Sequence, residues 1–430
     1  MKPAPQALFL TKDAYTPTFR VGTYNHQRRF MQAAADAGWE VFVSSWNNLL
    51  EDRDRLSLTR GLRIGAQAKR GQPIQRPIHI APIYLNLHIS PGKQPVEPNE
   101  LNRDLLSRLR LAGLISGSET EYQITKAYAR HLRDMPAFRY LALSEHELLS
   151  QATGKWQMEK CFRRGEQRGW HVVRPATEGV NRVKLPERLR AVLDEDPHPR
   201  IIKPHTGTRC EGIYVVTRQN LDQVLEEVRT SKPDWYVMQE LVHPTSTYQG
   251  HKVDLRIFVG VFCLEPLRFH AFRQGLVRVA HEPFRLEGAG NPLVSLTGRS
   301  FRKRMGVQVP DLALETYFGS LYARGYDVDA LWAAIQAQLG DALRCLTLYP
   351  PLQKQRDVLQ RVCPLVGCDI ILREGPGRRL EPMVLEINYF PQLYGKGDEI
   401  DRQQDGAYQL FFRKLAGELP ARAGRGSGTR

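Results

Sequence analysis

The sequence predicts a mixed α/β (α+β) protein, with a small parallel-sheet domain followed by a larger part rich in strands and hairpins. Three observations predict it. Residues 7–43 read strand, helix, strand, the order of a parallel pair with its crossover. Residues 200–216 read strand, glycine loop, strand. Residues 367–390 read as two apolar strands joined by Glu374-Gly375-Pro376-Gly377-Arg378-Arg379, which is turn chemistry. A chain of 430 residues suggests two or three domains. The boundaries expected are an N-terminal α/β domain over 1–145, a central unit over 146–245, a C-terminal unit over 246–415 and a basic, disordered tail over 416–430.

Composition narrows the function classes. Hydrophobic content is 42% and charged content 25%, ordinary for a globular protein. No run approaches the about 18 apolar residues of a membrane helix. The start, Met1-Lys2-Pro3-Ala4-Pro5, has no signal-peptide core. The six cysteines form no CxxC pair and no metal-finger spacing, so they read as reduced thiols of a cytoplasmic protein. A formal net charge of +15 favours an acidic partner: a polyanion, an acidic protein segment or a phosphorylated ligand.

In chain order, Ala7-Leu8-Phe9-Leu10 is the first strand, Gln27 to Ala37 a helix stopped by Gly38, and Val41-Phe42-Val43 the second strand. The connection after the first strand lacks Gly-x-Gly-x-x-Gly, which argues against a dinucleotide site there. Residues 77–89 supply a further strand, residues 91–99 a loop, and Leu101–Leu111 and Glu121–Leu132 helical patterns. Lys155 opens a basic helical stretch and is a candidate phosphate ligand, although in isolation a solvated helix lysine explains it better.

The strand ending in Lys203 leads into a loop carrying Gly207 and Gly212. Ile213-Tyr214 stand where a P-loop needs Lys-Ser/Thr, so that motif fails. A glycine hairpin can still cover phosphates with backbone N–H groups and a lysine; a plain hairpin is the alternative. Leu221 to Thr230 is a helix, and Trp235 to Val242 a strand that turns polar at Gln239-Glu240 before Leu241-Val242. Such a segment can read a nucleotide base with backbone groups. Lys252, Asp254 and Arg256 alternate with apolar residues and so share one face, as ligands or as an outer polar row. Residues 269–280 read as strand, turn and strand, with Arg273, Gly275 and Arg278. Leu296-Thr297-Gly298 follows a loop, Arg302-Lys303-Arg304 is a basic run, and Asp329–Leu346 is a helix. Asp369 lies on the first strand of the last hairpin, and Glu386 and Asn388, two apart, share a face of the second. Three oxygen ligands of this kind suit Mg²⁺ shared with nucleotide phosphates. Pro391 stops the strand.

Taken together and in this order, these residues resemble the tubulin–tyrosine ligase-like branch of the ATP-grasp superfamily. The resemblance rests on Lys203-Pro204, Gly212-Ile213, Gln239-Glu240, Lys252-Val253-Asp254-Leu255-Arg256, Gly275-Leu276-Val277-Arg278, Leu296-Thr297, Gly367-Cys368-Asp369 and Leu385-Glu386-Ile387-Asn388. It covers roughly residues 150–395. It implies an ATP-grasp fold behind an N-terminal parallel-sheet, pre-ATP-grasp-like domain, with ATP and Mg²⁺ as cofactors. By that resemblance Lys155 and Lys203 bind phosphates and Gln239 to Val242 form the adenine hinge. Lys252, Asp254, Arg256, Arg278 and Thr297 line the ribose, phosphate and acyl-phosphate region. Asp369, Glu386 and Asn388 hold the metal. Two positions depart from the family: Gly298 stands where Asn is usual, and Arg373 where a second acid often sits.

The function implied is an ATP-dependent carboxylate–amine ligase, adding an amino acid to an acidic peptide or protein. Two rivals remain open: an ATP-grasp kinase of a polyphosphorylated small molecule, and a basic nucleotide- or polyanion-binding protein without catalysis. Nucleic acid is not the expected partner, because aromatic residues are not clustered with the basic ones as a stacking platform needs.

Overall fold

A computed structural model of the chain describes residues 6–11, 32–45, 62–64, 83–87, 138–141, 147–205, 210–307, 310–354, 360, 363–388 and 399–417. Strands β1 (Gln6–Thr11), β2 (Glu40–Ser45), β3 (Leu62–Ile64), β4 (Ile83–Leu87) and β5 (Phe138–Leu141) form one sheet in the order β3-β2-β1-β4-β5. β1 pairs in parallel with β2 and β4, β4 in parallel with β5, and β3 joins antiparallel. Between β1 and β2, residues 32–36 are helical and Gly38 turns the chain at φ +86°. The strand–helix–strand reading therefore holds where it is described. The helical patterns at 101–111 and 121–132, the loop 91–99, Gly207, Tyr389–Gln392 and the tail beyond Gly417 lie outside the described residues.

A second sheet is antiparallel throughout. It runs β6-β9-β7-β8, from β6 (Thr177–Asn181), β7 (Arg200–Pro204), β8 (Tyr214–Val216) and β9 (Trp235–Glu240). Helix α1 (Lys155–Glu166) precedes it, and α2 (Leu185–Glu195) and α3 (Leu221–Arg229) cover one face. Leu185, Leu189 and Leu193 recur every four residues on α2, a stripe that packs with Ile202, Val216, Tyr236 and Met238. Strand alternation then turns Lys203, Val237 and Gln239 to the opposite face.

The largest sheet is also antiparallel, in the order β13-β12-β11-β14-β15 with β10 added on β11. Its strands are β10 (Thr247–Tyr248), β11 (His251–Leu264), β12 (Leu267–Pro283), β13 (Leu312–Ala313), β14 (Leu365–Gly375) and β15 (Arg379–Asn388). Helices α4 (Arg299–Arg304), α5 (Leu314–Ala323), α6 (Val328–Leu346) and α7 (Glu399–Gly417) accompany it. The odd residues of β11, Val253 through Val261, join the core built by α1, α5 and α6. The even residues Phe258 and Phe262 pack with Tyr408, Phe411 and Phe412 of α7. α6 starts at Asp327, whose side chain accepts the Ala330 N–H at 2.9 Å, and its apolar positions 331, 335, 339, 342, 343 and 346 follow the helical repeat. α7 carries the chain in helix through Ala416 and Gly417, past the point where the tail was expected to begin.

One expectation is corrected. The turn read within residues 269–280 is not there: β12 is continuous over 17 residues. Arg256 pairs with Leu276 and Phe258 with Phe272, so two extra residues on β12 are absorbed as a bulge around Arg273-Gln274-Gly275. Gly275 is needed there because a Cβ would stand 2.8 Å from the Arg256 carbonyl oxygen and 3.1 Å from Leu314. A glycine beside a polar residue signals a turn in the sequence, and close backbone approach produces the same signal.

Backbone bonds tie the second sheet to the large one. Val384 N–H donates to Val173 C=O (2.8 Å), Ser246 N–H to Leu372 C=O (2.9 Å) and Glu374 N–H to Pro244 C=O (2.9 Å). The polar face of the smaller sheet is thereby held against the β15 edge of the larger one, with a cleft between.

Candidate active site

Lys252, Asp254 and Arg256 occupy even positions of β11, the face that farther along carries Phe258 and Phe262. They are not an outer polar row: Lys252 and Asp254 are buried, 5% and 4% exposed. Neighbouring strands supply the opposite charges at the registered positions. Asp254 lies opposite Arg278 of β12, and Arg256 opposite Asp369 of β14. Arg278 Nε donates to Asp254 Oδ1 at 2.5 Å and its Nη2 to Asp369 Oδ2 at 2.7 Å. Arg256 grips Asp369 through two nitrogens, Nε to Oδ1 and Nη2 to Oδ2, the second at 3.0 Å. The Thr297 hydroxyl donates to Asp254 Oδ2. The result is a charge ladder across three strands in which every carboxylate oxygen has a cationic or hydroxyl partner.

The ladder ends at the last hairpin. Asp369 pairs directly with Glu386, Gly367 with Asn388 and Ile370 with Val384, so Leu385 is an extra residue in a bulge. The bulge turns Leu385 out of the core position its apolar run predicted, to a half-buried place in the cleft wall. The Asn388 amide donates to Glu386 Oε1 at 2.9 Å and to Asp369 Oδ2 at 3.4 Å. The three predicted metal ligands thus converge. Among the described residues no cluster of three His, Cys, Asp or Glu could hold a metal. Two carboxylates and an amide nonetheless fit Mg²⁺, which takes one or two carboxylates and completes its shell with phosphate and water. The Asn388 amide would present its oxygen after a half-turn of the same group.

The cleft beside this hairpin is lined by Lys155 at the start of α1, Lys203 on β7 and Gln239 on β9. Apolar walls come from Met158, Phe162, Val237, Val384 and Leu385. Apolar walls together with two lysines suit a purine nucleotide in chemistry. Gln239 donates through Nε2 to Thr177 Oγ1 at 2.9 Å. Leu241 turns away: its N–H donates to Pro199 C=O (3.0 Å), its C=O meets His198 Nε2 at 2.6 Å, and its side chain packs with Val215, Leu296 and Phe301. Alternation leaves the Glu240 carbonyl and the Val242 N–H on the other side, the side on which Glu240 N–H donates to Ala176 C=O at 3.1 Å. The Val242 side chain packs with Ile371 and Met383. Gly212 takes φ +67° against Pro204, closing the hairpin after Lys203.

Sequence reasoning missed one part of the cleft. Glu159, a buried acid on α1, accepts Arg174 Nε at 2.7 Å and Arg163 Nε at 2.8 Å. Arg163 also donates to Thr177 C=O at 2.6 Å, so this carboxylate fastens the helix bearing Lys155 to the strand that anchors Gln239. The only local signal was the i, i+4 spacing of Glu159 and Arg163 within an otherwise basic stretch.

Burial dominates the electrostatics. It would push the Asp369 carboxyl up, but the Arg256 and Arg278 guanidiniums outweigh it and hold the group well below the usual carboxylate range. Burial works against the charge of Arg278 too, and Asp254 and Asp369 more than restore it. Lys203 and Lys252 are both lowered, burial being the main cause; Glu386 opposes it at Lys203 and Asp254 at Lys252. A bound polyphosphate would raise both lysines again. Nucleotide binding is therefore expected to take up protons at pH below the ordinary lysine pKa, and affinity to fall as pH rises towards it. Titration calorimetry in buffers of different ionisation enthalpy checks this, since a buffer-independent enthalpy would contradict it.

Gly298, the departure from the family's Asn, has a steric cause. A Cβ there would sit 2.2 Å from Cys210 Sγ. Cys210 adopts φ +59°, and burial raises its thiol pKa, so it stays protonated. Gly298→Ala is expected to lower activity about tenfold or more, Cys210→Ala to be close to neutral, and the double substitution to recover most of the loss. Steady-state rates of the three variants test this coupling.

The profile of the tubulin-tyrosine ligase family matches residues 155–407, more than half of the chain and all of the cleft and ladder. The chain belongs to the tubulin-tyrosine ligase family. Curated relatives include the Homo sapiens tubulin monoglutamylase TTLL4, 29% identical over 208 residues, which are 45% of this chain and 16% of that protein. The Mus musculus tubulin polyglutamylase TTLL6 is 25% identical over 220 residues, 47% of this chain and 25% of that protein. A probable tubulin polyglutamylase of Homo sapiens, TTLL2, is 30% identical over 172 residues, 37% and 27% of the two chains. The chain therefore spans about a quarter or less of the length of these relatives. The C-terminal domain of K. lactis Pby1, an ATP-grasp enzyme, aligns with 98% of this chain and 97% of its own at 14% identity and a TM-score of 0.48. Two antiparallel sheets facing each other across a cleft, with their helices, bear out the α+β class read from the sequence. No helix among the described residues is long and apolar enough to cross a membrane.

Proposed function

We propose that the protein is an ATP-dependent carboxylate–amine ligase that joins an amino acid to an acidic peptide or protein. The observation that carries the reading is the buried ladder Asp254–Arg278–Asp369–Arg256, which ends in Glu386 and Asn388 beside a cleft holding Lys155 and Lys203. A carboxylate is a poor electrophile, and phosphorylating it needs positioning and charge neutralisation more than a protein nucleophile.

Each residue then has a task. Apolar walls hold the adenine, and Gln239, Glu240 and Val242 read its edge, with Leu241 anchoring the segment. Lys155, Lys203 and the backbone of the loop containing Gly207 and Gly212 take the phosphates. Asp254, fixed by Thr297 and Arg278, faces the ribose and phosphate region together with Lys252. Asp369, Glu386 and Asn388 would hold Mg²⁺, which when bound neutralises phosphate charge. Arg256 and Arg278 steady the acceptor carboxylate as its oxygen attacks the γ-phosphorus and ADP leaves. The amino group then attacks the acyl carbon, inorganic phosphate departs with the carboxylate oxygen, and the nitrogen loses a proton. The relatives named as tubulin glutamylases, together with the charge of +15, make a glutamate-rich tail the first acceptor to try.

The test is incubation of the protein with ATP, Mg²⁺, an amino-acid mixture and glutamate-rich peptides, followed by mass spectrometry. A peptide gain of one amino-acid residue with stoichiometric ADP is expected. A gain of one phosphate would instead make it a kinase.

A further inference from the structure

Leu241 lies between the two backbone groups that face the nucleobase side of the cleft, yet its own N–H and C=O point the other way. What holds them there is a repaired break in a ladder. β7 and β9 are antiparallel, and their last registered pair is Arg200 with Glu240. One step further Pro199 lies opposite Leu241, and the Leu241 N–H donates to the Pro199 carbonyl at 3.0 Å. Residues of such a pair normally exchange two hydrogen bonds. Pro199 has no N–H to return, so the Leu241 carbonyl loses its ladder donor. The His198 imidazole takes that place, with Nε2 2.6 Å from the Leu241 oxygen. A carbonyl only accepts, so Nε2 carries the proton. The histidine is itself held. Asp196 accepts the His198 N–H at 3.0 Å and Arg200 Nη2 at 2.6 Å, and Arg200 Nη1 donates to the His198 carbonyl at 2.8 Å. The ring of His243, the residue after Val242, lies with its centroid 6.3 Å from that of His198.

We infer that His198 is a positioning residue for nucleobase recognition; the inference rests on the ATP-dependent reading above. It acts through Leu241. By holding the Leu241 carbonyl from behind, it fixes the flanking Glu240 C=O and Val242 N–H on the cleft side. One acceptor beside one donor complements a 6-aminopurine, whose amine donates and whose neighbouring ring nitrogen accepts. A 6-oxopurine presents the reverse pattern and leaves both groups unpaired, which costs affinity. Without the imidazole the Leu241 carbonyl is a part-buried acceptor with no ladder donor, and the strand end is free to shift. The loss then falls on the base and spares the phosphate contacts of Lys155 and Lys203.

The test is calorimetric titration of the full chain with ATP, GTP and inorganic tripolyphosphate in the presence of Mg²⁺, with a thermal melt of each variant. His198→Met removes the donor and His198→Gln keeps one at similar length. Pro199→Ala added to His198→Met restores the backbone N–H that the ladder lacks. His198→Met is expected to weaken ATP about tenfold, to narrow the preference over GTP and to leave tripolyphosphate within about twofold. His198→Gln and the double variant are expected to bind ATP within about threefold of the parent, and they carry the test should His198→Met fail to fold. Unchanged ATP affinity in a folded His198→Met would overturn the inference. So would equal weakening of ATP and tripolyphosphate, a tenfold loss in both rescue variants, or a parent that binds no ATP. The expected binding pattern without amide formation in the peptide assay would keep the inference and remove the ligase reading. Amide formation with an unchanged KM for ATP in His198→Met would do the reverse.

Discussion

Glu386→Gln is expected to lower turnover by about 10³-fold or more while leaving the fold intact. The substitution keeps shape and removes charge. Gln retains an oxygen at the position where Glu386 Oε1 accepts the Asn388 amide at 2.9 Å, so the end of β15 has no reason to rearrange. What disappears is one of the two carboxylates that fit the metal, and the anion that opposes the lowering of Lys203. Rates of ADP release and a thermal melt of the variant check both halves. Activity within tenfold of the parent, with an unchanged melt, would remove Glu386 from the chemistry.

Asp369→Ala is expected to cost about 3–5 kcal/mol of stability, because it breaks a buried charge network and strands the Arg256 guanidinium. Arg256 and Arg278 both close on this carboxylate, and all three side chains are at most 18% exposed. Arg278 keeps Asp254, but Arg256 keeps no partner of opposite charge among the described residues. Removing Arg256 together with Asp369, as Arg256→Met with Asp369→Ala, should recover part of the loss, since an unpaired buried charge costs more than an absent pair. Urea unfolding of the full chain measures each step. A loss under about 1 kcal/mol in the single variant would mean that the ladder is wetter and weaker than its geometry implies.

The ladder's partners were legible in the sequence as residue types, but not as a buried network. Alternation at Lys252, Asp254 and Arg256 fixed their common face, since a strand's side-chain period is two. Whether that face met water depended on Arg278 and Asp369, which lie 24 residues from Asp254 and 113 from Arg256 in the chain. The two bulges were invisible for the same reason. Gly275 and Leu385 read locally as a turn glycine and a core leucine, and only the register of the neighbouring strand makes each an extra residue. The Glu159 clamp joins three elements and leaves little local trace beyond an i, i+4 pair.

The most direct test of the central claim follows oxygen. An acceptor peptide labelled with ¹⁸O in its carboxylates is turned over with ATP, Mg²⁺ and the amino acid, and the released phosphate is weighed. Ligation through an acyl phosphate predicts one ¹⁸O in the phosphate for each amide formed. Unlabelled phosphate accompanying amide formation, or phosphate release with no amide at all, would contradict it.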